Sequence, residues 1–309
     1  MRGLASFVMR GRGQATLVAA TTAVLSALVP PVSWLSSGTV ALVVLRRGTF
    51  EGLVVLLGAL VGAGVLAFVS LGSPWPALSF ALVLWLPILI VAAVLRATVD
   101  LGSAFAALGG IGLVAVAVIH LLLGEPGPWW LATLEPVIAP ALQGVEGAEA
   151  GAIREWIAAA SRYLTGLMVA AGLINLVLGL LIGRAWQAAL YNPGGFRREF
   201  HALRLPRVAA LVATGLFAAV FALGGAPGMV ADMAAAMLVP CALAGLALVH
   251  GLAGGRRGGV GILVAVYLLL VLALPQTTVA LAAMGLVNSW FDLARRYGAR
   301  PKNENSADG

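Results

Sequence analysis

Three polar side chains stand inside otherwise apolar runs of this sequence: His120, Asn175 and Asp232. A histidine can take up or release a proton near neutral pH, and an aspartate can accept one. An asparagine amide offers both donors and acceptors. Such groups are costly in an apolar medium and tend to face a cavity or a partner, so the three form a candidate substrate-binding or proton site. A plainer reading stands beside this one, because His120 and Asp232 fall near the ends of their runs, where a side chain can reach water. No paired-carboxylate, Ser-His-Asp, HExxH or phosphate-loop pattern occurs, and the three histidines are scattered. The chain is therefore expected not to be an enzyme and to carry no cofactor and no metal. The one cysteine, Cys241, excludes an intramolecular disulfide and a CxxC site.

The elements that must hold these residues follow from composition. Of 309 residues, 61% are hydrophobic and 10% charged, with a mean hydropathy of +1.02. A soluble domain is about a quarter charged, so that class is excluded. The 39 Gly and 15 Pro show no G-X-Y period, which excludes collagen. A spanning helix takes about 20 apolar residues, leaving room for roughly eight to ten crossings. Apolar runs fall at 15–29, 33–45, 52–71, 77–95, 103–123, 163–183, 208–223, 228–250, 259–274 and 277–291. The expected fold is all-α: one polytopic transmembrane helical bundle over 1–309, with eight to ten membrane segments.

Charge sets the expected orientation. If alternate connections are cytoplasmic, seventeen of the nineteen cations lie inside and only Arg154 and Arg162 lie outside. That is a positive-inside pattern with both termini cytoplasmic. Arg2, Arg10 and Arg12 resemble the basic start of a signal peptide, but Pro30, Pro31 and another apolar run follow at once, so retention is expected.

Several segments depart from plain spans. The pairs 15–29 with 33–45 and 259–274 with 277–291 have short arms broken by Pro30, Pro31 and Pro275, so each either spans as tilted short helices or turns back as a re-entrant hairpin. Trp85-Leu86-Pro87 marks a kink. The stretch 124–162 is too apolar for a free loop. Trp129 and Trp130 suit an interface, Leu131 to Leu142 is interrupted by Glu135, Pro136 and Pro140, and Ile153, Trp156, Ile157 and Ala160 share a helical face. It reads as a cap on the outer face.

The inner stretch 184–207 contains Asn192-Pro193-Gly194-Gly195, which fits a type II turn. Beyond it, Phe196, Phe200 and Leu203 line one face, while Arg197, Arg198, His201 and Arg204 face elsewhere, with Arg207 following. This basic amphipathic helix is expected on anionic inner-leaflet lipids rather than on nucleic acid. Small residues at four-residue spacing, Ala15, Ala19, Ala23 and Ala27, with Gly58 and Gly62 and with Gly179 and Gly183, suit helix packing or, less well, a membrane-protein partner. His250 and Asp292 at inner ends could pair with Arg256, Arg295 or Arg296, and 298–309 reads as a disordered tail.

Residues Trp186 to Leu205, WQAALYNPGGFRREFHALRL, with Gly245 to His250, GLALVH, and Gly285 to Arg295, GLVNSWFDLAR, resemble the YybS-like family of bacterial membrane proteins. The resemblance implies a multi-pass protein of the bacterial inner membrane. It also implies a fold similar to the substrate-binding subunits of energy-coupling-factor transporters, with the Ala15 to Ala27 stripe at their docking position. Two functions are expected from these readings: a transport-related small-molecule-binding membrane subunit, or a non-transporting scaffold for envelope or cell-division partners.

Overall fold

The computed structural model describes residues 2–142, 148–254 and 257–293. The 298–309 tail and Arg256, Arg295 and Arg296 lie outside the described residues. Among those described, the chain is all-helical, without strands.

The helices are α1 (Arg2–Val8), α2 (Arg12–Leu25), α3 (Ser33–Arg47), α4 (Thr49–Leu71), α5 (Trp75–Thr98), α6 (Leu101–Leu123) and α7 (Pro126–Ala141). They continue as α8 (Ala148–Ser161), α9 (Leu164–Tyr191), α10 (Gly195–His201), α11 (Arg207–Ala222), α12 (Met229–Ala253), α13 (Gly259–Leu272) and α14 (Leu274–Phe291). Five of them, α4, α5, α6, α9 and α12, are long and apolar enough to cross a membrane, while α11 and α13 are apolar but shorter. The protein is thus an all-helical, multi-pass membrane protein.

The centre of the bundle is α3 against α9, flanked by α2, α5 and α12. Most of α3 is buried, although it carries Ser33, Ser36, Ser37 and Thr39. Small residues make this possible. A Cβ on Gly179 would sit 2.5 Å from the Ser37 Cβ, and one on Gly183 2.9 Å from the Gly38 carbonyl oxygen. In a bilayer, where burial gives little drive to associate, such close approach is what holds helices together.

The alanine stripe is spent in the same way. Ala15, Ala19 and Ala23 are buried, with Thr16 against Gly58 and the Ala19 carbonyl accepting from Ser36. Only Ala27 is exposed. The stripe is an internal packing face between α2, α3 and α4, so its buried part cannot also dock a partner.

The Trp85-Leu86-Pro87 step is a π turn, Ala81–Trp85, inside α5. Proline lacks an N–H and its ring crowds the carbonyl one turn back, and a widened turn relieves both. In the 124–162 stretch, α7 runs on through Pro136 and Pro140 instead of breaking there. On α8, Trp156 is exposed although Ile153, Ile157 and Ala160 are half-buried, so the face drawn from spacing is narrower than expected.

The turn at Asn192 has the expected form: Gly194 has φ 82° and ψ −12°, and the Gly195 N–H donates to the Asn192 carbonyl at 3.0 Å. The helix after it is shorter than its periodicity suggests. It ends at His201, and its apolar side is covered by the bundle: Phe200 packs edge-on against His250 at 5.6 Å, and Leu203 and Leu205 are buried. Arg204 pairs with Asp292 and Glu199 with Arg184. Protein thus covers the Phe200 and Leu203 side of this helix, while Arg197, Arg198 and Arg207 stay exposed.

Candidate functional site

The three expected site residues separate into two places. His120, near the end of α6, and Asp232, in the first turn of α12, form a pair with Nε2 and Oδ2 2.7 Å apart. The other Asp232 oxygen accepts the Gly166 N–H of α9 at 2.9 Å. Asp232 is 2% exposed, and both its oxygens meet groups of the bundle, an imidazole and an amide in the first turn of α9. Gly166 is required there, since an added Cβ would lie 2.7 Å from Asp232 Oδ1. Above the pair, Trp130 of α7 donates to Thr165 at 2.8 Å and ties the cap to α9. The arrangement joins three long helices at the end that bears α7 and α8.

Asn175 lies elsewhere on α9. Its amide nitrogen donates to Ser33 Oγ at 3.0 Å, and its buried Oδ1 has no hydrogen-bond partner among the described residues. The expected convergence of His120, Asn175 and Asp232 is corrected: the first and third meet, and Asn175 belongs to the α3–α9 contact. Nine residues of helix, about 13 Å of rise, separate Asn175 from Gly166.

A cavity of about 350 Å³ opens instead between α2, α4 and the start of α5. Ala23, Ala27, Ala63 and Ala67 form its walls, and Phe80 and Trp85, edge to face at 5.1 Å, close one side. Val24 and Leu66 at its edge are exposed, so it communicates with the surroundings of the bundle. Trp85 comes from the π turn, and its indole N–H is spent on Ser36 Oγ at 2.9 Å, which in turn donates to the Ala19 carbonyl at 2.8 Å. That chain fixes the ring and leaves only Ser26 and Ser70 as hydroxyl-bearing lining. A larger cleft of about 540 Å³ between α7 and α8 holds one acid, Glu155, and one base, Arg162.

No family model, curated protein or solved structure matches this chain. The apolar cavity was missed from sequence because alanines on three helices carry no local signal; the one trace was Trp85 two residues before Pro87. The Ser33 to Thr39 run, four hydroxyls within an apolar helix, was a readable sign that α3 is enclosed by protein.

Among the described residues no cluster of three or more His, Cys, Asp or Glu could hold a metal ion. Of the cations expected to meet the inner leaflet, Arg197, Arg198 and Arg207 are exposed.

Proposed function

We propose that the chain is a transport-related membrane subunit that binds a small amphipathic molecule in the cavity between α2, α4 and α5. The observation that carries this reading is the cavity itself: alanine walls facing a fixed aromatic side, at the Arg-poor end of the bundle, entered from its apolar flank. Its size lies at the lower end of the range for small-molecule sites. Alanine walls leave room for a narrow apolar body; Ser70 can meet a polar end, and Ser26, whose hydroxyl donates to the Ala23 carbonyl at 2.6 Å, can accept from one. The π turn supports the reading, because such turns recur at functional sites. The protein in this reading is a binder and not an enzyme, and the His120–Asp232 pair serves to hold α6, α9 and α12 together. The scaffold alternative loses its main support, since most of the Ala15 to Ala27 stripe is covered within the bundle.

Native mass spectrometry of the full chain released from nanodiscs tests the proposal. The wild type should carry a stoichiometric adduct lighter than a phospholipid, and Ala67→Trp, which fills the cavity, should reduce it at least tenfold. Phospholipid adducts alone, unchanged by Ala67→Trp, would overturn the reading.

A further inference from the structure

At the opposite, Arg-rich end, a second pocket of about 300 Å³ lies where α3, α5, α9 and α10 meet. Arg46, Arg96 and Arg184 line it together with Gln187, Tyr191 and Glu199. Three guanidinium groups face one carboxylate, so two positive charges are left over.

Each arginine is held by a different device that leaves part of its fork unused. Arg184 gives Nε to Glu199 at 2.7 Å and a second bond through Nη2, while its Nη1 has no protein partner among the described residues. Arg96 Nη1 donates to the carbonyls of Val44 and Leu45 at 3.2 and 2.9 Å, which leaves Nε and Nη2. Arg46 lies over the Tyr191 ring at 4.1 Å, and none of its donors is bonded among the described residues.

We propose that this pocket binds a phosphate group. Planar guanidinium forks match phosphate oxygens in pairs, which a point charge cannot do. A positive-inside signal alone would explain cations at this face, but it needs them only to remain on one side. It does not need Arg184 to be 6% exposed and locked to a carboxylate from the next helix, an arrangement that is costly to desolvate. Burial of one arginine, stacking of a second and carbonyl anchoring of a third produce a pre-set cationic concavity. The phosphate comes either from an anionic lipid headgroup of the adjoining leaflet or from a soluble phosphate compound, and the chemistry of recognition is the same.

The test uses the full chain in nanodiscs and two variants. Arg46→Gln removes an exposed pocket cation and leaves the Arg184–Glu199 pair closed; Arg10→Gln removes an exposed cation outside the pocket. In the first arm, inorganic phosphate is titrated onto protein in phosphatidylcholine discs, against sodium chloride of equal ionic strength, and the unfolding temperature is followed. In the second, retention of phosphatidylglycerol is read by native mass spectrometry. A saturable response is expected in at least one arm, unchanged in Arg10→Gln and weakened about tenfold or more in Arg46→Gln. A response to phosphate alone identifies a soluble ligand, and one to phosphatidylglycerol alone identifies a headgroup. No response in either arm, or equal loss in both variants, would overturn the proposal.

Discussion

Asp232 and His201 show how the same bundle treats two ionisable side chains at opposite ends. Asp232 is buried, and the His120 ring and the Gly166 N–H each bond one of its oxygens, so it ties three helices together. His201, in the short helix α10 outside the spans, is less well served. Burial, followed by the nearby charges of Arg197 and His250, holds its proton affinity below the ordinary histidine range. The unfolded chain therefore takes up a proton at His201 more readily than the folded one. Stability from this residue is present in full above the unfolded value near pH 6.5 and is lost as the pH falls through that value towards the folded one. The unfolding temperature in micelles should accordingly drop between about pH 7.5 and about pH 5.5, and His201→Gln should flatten part of that slope. An identical slope in the variant would assign the pH dependence to other groups.

Between elements, the tightest meeting is α12 with α14, and two facing glycines make it. A Cβ on Gly245 would run into the Leu281 carbonyl, and one on Gly285 into the Cys241 carbonyl. Because the obstacles are backbone atoms, no rotamer change can relieve them. Gly245→Ala and Gly285→Ala should each destabilise the protein by about 3 kcal/mol or more, at or above the upper end of ordinary overpacking. Gly64→Ala on α4 has open space around the new methyl and should be neutral or slightly stabilising, since alanine is the better helix former. Unfolding in mixed micelles measures all three; equal effects would mean that helix propensity and not close approach governs the response. Sequence made these elements legible to different depths. Asn192-Pro193-Gly194-Gly195 gave its turn because backbone chemistry there is local. Phe196, Phe200 and Leu203 gave a face but not the helices that cover Phe200 and Leu203. Arg184 and Glu199 are 15 residues apart across that turn, so nothing in their spacing announced a shared pocket. His120 and Asp232, polar residues in apolar runs, meet each other, while Asn175, of the same kind, answers Ser33 on another helix.

For the whole molecule, side-chain links fix which helix ends lie together. Arg47 reaches the Met9 carbonyl, Arg12 pairs with Glu51, Arg96 reaches Leu45, Arg46 covers Tyr191, and Arg204 pairs with Asp292. The first and last described helices therefore meet the same, arginine-rich end. Asp232 meets His120 at the other end, where Tyr163 also donates to the Gly225 carbonyl. Along the chain α4, α5 and α6 alternate in direction, while α9 and α12 run the same way and the shorter α11 between them restores the alternation, as a chain crossing a membrane repeatedly requires. Alternation alone leaves two orientations, and charge separates them. Translocating the arginine-rich end would carry Arg10, Arg12, Arg46, Arg47, Arg96, Arg197 and Arg198 across, whereas translocating the opposite end carries Arg154 and Arg162. Short cationic loops resist translocation, so the arginine-rich end should face the cytoplasm, with both termini. Reporter fusions after Gly124 and after Gly309 measure this. The first should be active only outside the cytoplasm and the second only within it; a Gly309 fusion active only outside would reverse the orientation, and with it the leaflet assigned to each pocket.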